Sequence, residues 1–203
     1  MSGKRVGIMG GTFDPVHYGH LVTADAAREQ YGLDRVVFVP AGNPPHKMPE
    51  KVSDFWHRYQ MTVLATASNK FFEVSRLEHE RGGCSYSVDT VRAFQRLYEA
   101  GTELFFITGA DAILEVIDWK QPEELLAMCR FIAATRPGYD LRQLDTILGD
   151  YCAGSVSLLE IPLLDISSSD IRGRLRRGAS IKYLVPEAVE AYIVENGLYR
   201  SEQ

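Results

Sequence analysis

The stretch RVGIMGGTFDPVHYGHLVTADAAREQYGLDRVVFVP, residues 5–40, decides the fold class. Residues 5–9 form a β-prone run that ends in two glycines. Residues 19–31 place apolar side chains on one helical face, and Gly32 is a good helix stop. Residues 35–40 are almost continuously apolar, which is typical of a strand buried on both faces. The stretch therefore predicts a strand, a helix and a second strand, the βαβ unit of α/β folds.

The rest of the chain continues this alternation. Further strands are predicted over residues 71–77, 104–108, 130–135 and 156–161. Helices are predicted over residues 54–68, 87–100, 112–116, 123–128, 141–148 and 170–177, and between Pro186 and Gly197. Residues 78–84 are polar and contain two glycines, which favours a loop. The pattern predicts one domain over residues 1–203, a Rossmann-like doubly wound α/β fold with a mostly parallel sheet and a small helical C-terminal part.

Composition disfavours several classes of protein. The chain has 203 residues, a net charge of −5, 45% apolar residues and 24% charged residues, so it is an ordinary globular protein and a poor candidate for binding nucleic acid. Cys84, Cys129 and Cys152 form no CxxC pair, which argues against a disulfide framework or a structural zinc site. We find no apolar leader and no run of roughly 18 apolar residues, and therefore expect a cytoplasmic protein without a membrane span.

The segment GGTFDPVHYGH, residues 10–20, carries the strongest functional signal. Gly10 and Gly11 end the first strand, where doubly wound sheets bind ligands, and they let backbone N–H groups approach an anion. His17 and His20 lie three residues apart on one side of a helix start, where the helix dipole adds partial positive charge. These features together predict a phosphate-binding site. For His-x-x-His alone, two surface histidines would be the better interpretation, and a zinc site is disfavoured because no third ligand lies nearby in sequence.

A second phosphate-binding candidate is ISSSDIR, residues 166–172. Ser168 or Ser169 is predicted to cap a helix and to leave hydroxyl and N–H donors facing outward. Arg172 lies one turn further along on the same side, and its guanidinium matches the geometry of a phosphate. The alternative is a capped amphipathic helix with a solvated arginine.

Several loops add candidates for ligand binding. His46 and Lys47 place two basic side chains on a proline-stiffened loop, and Ser87 could cap the helix over residues 87–100. Trp119 offers an aromatic face to an aromatic ligand, and Arg136 lies in a Pro-Gly turn. Each feature has a plainer alternative: an exposed basic loop, a simple helix cap, core packing of the tryptophan, or a surface turn.

Residues 10–20 resemble the signature of the HxGH nucleotidyltransferase superfamily, which transfers a nucleotidyl group with loss of pyrophosphate. Within that superfamily, the chain is similar to the bacterial nicotinate-nucleotide adenylyltransferase family from residue 7 to about residue 199. PPHK at residues 44–47, SYSVDT at residues 85–90 and ISSSDIR resemble further motifs of this family. The chain has Ser87 and Ser169 where the family usually has threonine, and Lys120 where a tyrosine is more usual after the tryptophan.

The resemblance implies transfer of AMP from ATP to nicotinate mononucleotide, with Mg²⁺ accompanying ATP and no protein metal ligands. Its implied catalytic residues are His17, His20 and Arg172. Its implied ATP-binding residues are Gly10, Gly11, Thr12, Phe13, His17, His20, Gly109, Asp111, Ile166, Ser168, Ser169 and Arg172. Its implied mononucleotide-binding residues are Thr12, His46, Lys47, Ser85, Ser87, Trp119, Lys120 and Arg136. ATP and nicotinate mononucleotide are the expected partners, and the sequence is compatible with a homo-oligomer.

Other functions remain as alternatives. Phosphopantetheine adenylyltransferase shares the HxGH core, but it is shorter and lacks the PPHK, Trp119 and ISSSDIR pattern. Nicotinamide mononucleotide stays open as an acceptor, because the sequence does not show which way the backbone N–H groups near Trp119 point. A non-catalytic nucleotide sensor would be expected to lack His17, His20 or Arg172, and all three are present.

Overall fold

A sheet of six strands forms the centre of the protein. The computed structural model describes residues 3–44, 52–135, 155–162 and 164–200. The strands are β1 (Arg5–Gly11), β2 (Arg35–Pro40), β3 (Phe72–Val74), β4 (Glu103–Gly109), β5 (Arg130–Thr135) and β6 (Val156–Glu160). They lie in the order β3-β2-β1-β4-β5-β6, and each neighbouring pair is parallel. The predicted doubly wound α/β fold is confirmed, with its topological switch point between β1 and β4.

Helices lie between successive strands from β1 to β5, and two more follow β6. Those in the described ranges are α1 (Tyr18–Gln30), α2 (Phe55–Thr66), α3 (Leu77–Arg81), α4 (Ser87–Leu97), α5 (Ala110–Leu114), α6 (Pro122–Met128), α7 (Ser168–Arg176) and α8 (Glu187–Glu195), with a short 3-10 helix at Val116–Asp118. The helix predicted over residues 141–148 lies outside the described residues. None of the helices that the structure describes is long and apolar enough to cross a bilayer.

The strands supply two hydrophobic cores, one on each face of the sheet. On one face, Ile8 and Phe106 pack with side chains from α4, α5 and α6. On the other face, Phe38, Phe105 and Ile132 pack with side chains from α1, α2, α7 and α8. Successive side chains of a strand point to opposite faces, so a sheet covered on both sides requires nearly continuous apolar runs. The apolar run over residues 35–40 has this cause.

The structure corrects two local predictions. Residues 78–84 were expected to form a loop, but Leu77–Arg81 is a helix. Leu77 packs against the core, and the buried carboxylate of Glu78 accepts a hydrogen bond from the Thr90 hydroxyl at 2.5 Å. The helix predicted to reach residue 100 ends at Leu97, because the next residue, Tyr98, has an extended backbone (φ −96°, ψ 153°). Contacts with distant residues explain why residues 77–81 are helical, and local backbone geometry explains why α4 ends at Leu97.

The C-terminal helix α8 packs against α2. Val189 and Ile193 of α8 are buried in the same core as Met61 of α2. At the edge of this contact, His57 Nδ1 and the Tyr192 hydroxyl form a hydrogen bond of 3.0 Å. Beyond α8 the backbone turns back, with positive φ at Gly197, and Tyr199 reaches the residues that follow β1. The small helical C-terminal part therefore lies against the start of the chain.

Candidate active site

A cavity of about 470 Å³ lies at the carboxyl ends of β1, β4 and β5. It is located at the switch point, where doubly wound sheets bind ligands, and its size suits a small-molecule site. The structure brings together in its wall five residues predicted to bind ATP: His17, His20, Gly109, Asp111 and Ile166. The motifs did not single out six other lining residues: Met9, Thr23, Ala134, Thr135, Ile161 and Leu164. The available signal for Met9 and Thr135 was their position at the end of a predicted strand.

The two histidines form a stacked pair at the start of α1. The ring centroids of His17 and His20 lie 3.7 Å apart, with 30° between the ring planes. The backbone N–H of His17 donates to Nδ1 of His20 at 3.2 Å. Neutral His20 therefore carries its proton on Nε2, which remains available as a donor. The expectation that both imidazoles lie on one side of the helix start is confirmed.

Burial makes both imidazoles neutral at pH 7. The side chain of His17 is only 6% exposed, and this burial lowers its pKa to about 4. Burial, followed by repulsion from His17, lowers the pKa of His20 well below its ordinary value. Nδ1 of His17 is buried and has no hydrogen-bond partner within the described ranges. The pair thus offers two neutral imidazoles to a ligand rather than two fixed positive charges.

Two glycines of the segment over residues 10–20 leave space for the rings of neighbouring side chains. A Cβ on Gly19 would lie 3.0 Å from Cε1 and Nδ1 of His17, and a Cβ on Gly11 would lie 2.9 Å from the ring of Phe13. Both separations are too short for comfortable van der Waals contact. Gly10, Gly11, Thr12 and Phe13 do not line the cavity, so Gly11 serves to pack the motif together.

The turn after β1 is held by residues from distant parts of the chain. Phe13 is buried and has a positive φ of 50°, which is uncommon for a residue other than glycine. The Arg58 guanidinium donates to the Thr12 carbonyl at 2.9 Å, and the Tyr199 hydroxyl donates to the Asp14 carboxylate at 2.6 Å. Sequence reasoning assigned no role to Asp14, Arg58 or Tyr199. No local pattern could have linked them, since residues 14 and 199 are 185 positions apart.

The helix cap predicted at Ser168 or Ser169 is wrong. The Ser167 hydroxyl accepts the hydrogen bond from the Asp170 N–H, at 3.1 Å, and caps α7. Ser167 has the extended backbone (φ −127°, ψ 147°) that a cap residue needs, whereas Ser168 and Ser169 are already helical.

Two side chains of α7, Ser168 and Arg172, instead bind this helix to the turn before His17. The Ser168 hydroxyl donates to the Pro15 carbonyl at 2.9 Å. Arg172 donates to the Asp14 carbonyl at 2.7 Å and to the Ser169 hydroxyl at 3.2 Å. Ser168, Ser169 and Arg172 do not line the 470 Å³ cavity, although Ile166 just before them does.

A second cavity, of about 280 Å³, brings together four residues predicted to bind the mononucleotide. These are Ser85, Ser87, Trp119 and Lys120, and Tyr86, Glu115 and Asp118 complete the described lining. The indole of Trp119 also packs against Phe106, with ring centroids 6.1 Å apart. Trp119 therefore belongs both to the core and to the wall of a ligand-sized space.

Polar contacts define the walls of this second cavity. Lys120 Nζ donates to Asp89 at 3.0 Å and lies 4.5 Å from the centre of the Tyr86 ring, so its charge is already paired. The Ser85 hydroxyl accepts the Asn43 N–H at 3.0 Å, which ties the loop after β2 to this site. Ser87 is not the helix cap that was expected: it is the first residue of α4, and extended Tyr86 precedes it.

Three predicted substrate-binding residues, His46, Lys47 and Arg136, lie outside the described residues. Within the described ranges, no group of three or more His, Cys, Asp or Glu side chains could hold a metal ion. Cys84 and Cys129 are free thiols, and burial raises the pKa of Cys129 to about 12.

Several known proteins are similar to this chain in sequence and in fold. The profile of the Cytidylyltransferase-like family matches residues 8–174. A probable nicotinate-nucleotide adenylyltransferase of Moorella thermoacetica is 57% identical, over 97% of this chain and 92% of that protein. One from Thermoanaerobacter sp. is 53% identical, over 98% and 96%. The solved structure of Plasmodium falciparum nicotinic acid mononucleotide adenylyltransferase complexed with NaAD has 25% identity and a TM-score of 0.79, with 97% of each chain covered.

The relatives and the site agree. Identity above one half extends over nearly the whole chain, and the histidine pair of residues 10–20 lines the switch-point cavity that the fold predicts. The chain belongs to the nicotinate-nucleotide adenylyltransferase family, within the cytidylyltransferase-like nucleotidyltransferases.

Proposed function

We infer that the protein transfers the AMP group of ATP to nicotinate mononucleotide, giving nicotinate adenine dinucleotide and pyrophosphate. The observation that carries this inference is the His17–His20 pair in the wall of the switch-point cavity, in a chain whose relatives are named for this reaction. Site residues at strand ends and helix starts are typical of nucleotide recognition in such sheets.

The two cavities suit the two substrates. The 470 Å³ cavity next to α1 would hold ATP, with its phosphates against His17 and His20. The 280 Å³ cavity would hold the nicotinate ring against Trp119, since an aromatic face favours an aromatic ligand. Ser85 and Ser87 would contribute hydroxyl groups to this second site. In this arrangement His46, Lys47 and Arg136 stay predictions for binding the mononucleotide.

The chemistry is an in-line displacement at the α-phosphorus of ATP. A 5′-phosphate oxygen of nicotinate mononucleotide forms a bond to this phosphorus, and the bond to the bridging oxygen of the β-phosphate breaks. Pyrophosphate leaves with that electron pair. The attacking phosphate is already an anion at neutral pH, so no general base is required. Positioning and stabilisation of charge are then the tasks of the protein.

The described side chains can perform these tasks. The Nε2–H group of neutral His20 would donate a hydrogen bond to a phosphate oxygen. His17 would contact the phosphates beside it, at the N-terminus of α1. A positive charge is supplied by Arg172, which uses two of its five N–H donors on Asp14 and Ser169. Its remaining donors would hold the leaving pyrophosphate.

We propose that Mg²⁺ enters with ATP. The donor set fits a metal held chiefly by phosphate oxygens and water, because the cavity wall offers one carboxylate, Asp111, among the described residues. Mg²⁺ keeps several waters and commonly uses one or two carboxylates plus substrate phosphates. When bound, Mg²⁺ would neutralise charge on the phosphate chain, and Asp111 would contact its hydration shell.

Pyrophosphate release tests the function directly. The protein is incubated with ATP and Mg²⁺ and separately offered nicotinate mononucleotide, nicotinamide mononucleotide or phosphopantetheine. We expect release with nicotinate mononucleotide and much slower release with the other two. Equal rates with the nicotinamide compound would contradict a nicotinate-specific site at Trp119. Release only with phosphopantetheine would refute the assigned acceptor, and ATP binding without any release would favour a sensor.

A further inference from the structure

The carboxylate of Asp14 is a buried anion that joins the first and last parts of the described chain. Its side chain is 2% exposed. Oδ1 accepts the hydroxyl proton of Tyr199 at 2.6 Å, and Oδ2 accepts the backbone N–H of Ser53 at 3.3 Å. Neither Tyr199 nor Ser53 lines the 470 Å³ or the 280 Å³ cavity. A buried charge needs such partners, because an unpaired one would cost several kcal/mol.

Arg58 supplies the opposite charge from helix α2. It is also 2% exposed, and its guanidinium donates to the carbonyls of Ser53 and Thr12, both at 2.9 Å. Burial lowers the pKa of Arg58 from its ordinary value, and the nearby Asp14 carboxylate opposes that change. A guanidinium stays protonated under these conditions. Arg58 therefore holds the Thr12 end of the Thr12–Asp14 turn, and the hydrogen bonds from Tyr199 and Ser53 hold the Asp14 end.

The conformation of this turn explains why it needs such support. Phe13, between the two fastened residues, has the left-handed φ of 50°, which costs free energy in any residue other than glycine. Its ring meets the ring of His20 edge-on, with centroids 5.0 Å apart. Three residues after Asp14 the chain reaches His17, which pairs with His20. A change in the conformation of the turn would thus shift the positions of both imidazoles.

We propose that Asp14, Arg58 and Tyr199 are positioning residues of this enzyme: they hold the strained Thr12–Asp14 turn so that His17 and His20 meet the phosphates of ATP correctly. The proposal rests on the function inferred above. It assigns an effect on turnover to Tyr199, which lines neither the 470 Å³ nor the 280 Å³ cavity. Tyr199 acts through Asp14 and does not contact substrate.

The Tyr199 hydroxyl stays protonated at neutral pH and well above it. Burial, followed by the negative charge of Asp14, raises the pKa of Tyr199 well above its ordinary value. The hydroxyl is therefore a permanent donor to the carboxylate. Removing only this hydroxyl leaves the aromatic ring and its packing in place, so Tyr199→Phe is the mildest way to loosen the turn.

The test compares two tyrosine-to-phenylalanine variants from the same end of the chain. Tyr192→Phe is the matched control, because the Tyr192 hydroxyl bonds to His57 of α2 and does not touch the turn. We expect Tyr199→Phe to lower kcat about ten-fold, since small misplacements of catalytic groups have effects of this order or larger, with KM for ATP changed less than about two-fold. Tyr192→Phe should keep the wild-type kcat.

A double-mutant cycle separates action through Asp14 from a general structural effect. If Tyr199 acts through Asp14, Tyr199→Phe should cost little further kcat in an Asp14→Asn background. Equal losses in both backgrounds, or a kcat for Tyr199→Phe within about two-fold of Tyr192→Phe, would overturn the proposal.

A readout without turnover keeps the proposal testable if the inferred reaction fails. NMR titration of the imidazoles should show the low pKa values of His17 and His20 rising in Tyr199→Phe, because a looser turn admits water. The same resonances should not move in Tyr192→Phe. A wild-type protein without pyrophosphate release would refute the function alone, whereas unchanged imidazole titration in Tyr199→Phe would refute the positioning role alone.

Discussion

At the scale of single residues, the histidine pair shows how burial sets chemistry. His17 occupies the cap position of α1 with little solvent contact, and His20 stacks on it. Two adjacent imidazolium ions would repel each other, so the neutral pair is the stable form of the free protein. A bound phosphate chain supplies negative charge and would favour protonation. The pair can thus gain positive charge when ATP is present.

Replacing His17 should harm turnover more than folding. We expect His17→Ala to lower kcat by roughly 100-fold or more, as loss of one preorganised donor does in other enzymes. The free energy of unfolding should fall by about 1–3 kcal/mol, because removal of this buried ring leaves a space, while its Nδ1 has no hydrogen bond to a described partner to lose. Kinetics and urea unfolding measure the two effects, with exposed His79→Ala as the control. A folded His17→Ala protein with normal kcat would remove His17 from the mechanism.

The same burial predicts a pH-dependent stability. The pKa of His17 is about 4 in the folded chain and near 6.5 when unfolded, so between these values the unfolded chain binds more protons. The free energy of unfolding should therefore fall as the pH drops from about 6.5 to about 4, by on the order of 3 kcal/mol from His17. Urea titrations across this range measure the fall, and His17→Gln should flatten it. If the free energy of unfolding of His17→Gln fell equally steeply with pH, the pH dependence would come from other groups.

At the scale of elements, patterns within a segment predicted more than the exact ends of segments. The apolar run over residues 35–40 predicted β2 correctly, because burial on both faces leaves a clear mark in the sequence. The start of α7 was misplaced among three consecutive serines, since any of them has a hydroxyl suited to capping. Helix α3 was missed because Thr90, the hydrogen-bond partner of the buried Glu78, lies twelve residues away.

The cap of α7 gives a prediction at this scale. Ser167→Ala removes the hydroxyl that accepts the Asp170 N–H, and should lower the free energy of unfolding by about 1 kcal/mol. Ser167→Asp, which keeps an acceptor at the helix N-terminus, should retain most of the stability. Chemical denaturation of the two variants measures the difference. Equal losses in both would show that the cap at Ser167 does not stabilise α7.

At the scale of the whole molecule, the parallel sheet gathers residues that are distant in sequence. The carboxyl ends of the predicted strands indicated the position of the site. The residues expected to bind ATP, His17, Gly109 and Asp111, do line one cavity at that edge of the sheet. The contacts among Asp14, Arg58 and Tyr199 were beyond prediction from a single sequence, because tertiary packing alone brings them together. The fold and the position of the switch-point cavity follow from periodicity and motif, whereas the contacts that support the motif do not.

Separate cavities predict separable kinetic effects. Trp119 lines the smaller cavity and does not line the larger one. Trp119→Phe keeps the packing against Phe106 but reduces the aromatic face, and should raise KM for nicotinate mononucleotide about five-fold. KM for ATP should change less than about two-fold. Steady-state kinetics with each substrate varied in turn measures both constants, and a larger effect on ATP would reverse the assignment of the cavities.

The bond between Tyr199 and Asp14 also orders events during synthesis of the protein. A ribosome adds about 5–20 residues per second, so roughly 10–40 seconds separate the translation of Asp14 from that of Tyr199, 185 positions later. During that interval β1 and the histidine pair already exist as nascent chain, but the hydroxyl that completes the turn does not. The first catalytic segment to leave the ribosome is therefore the last to be finished, and a chain interrupted before Tyr199 would lack this bond.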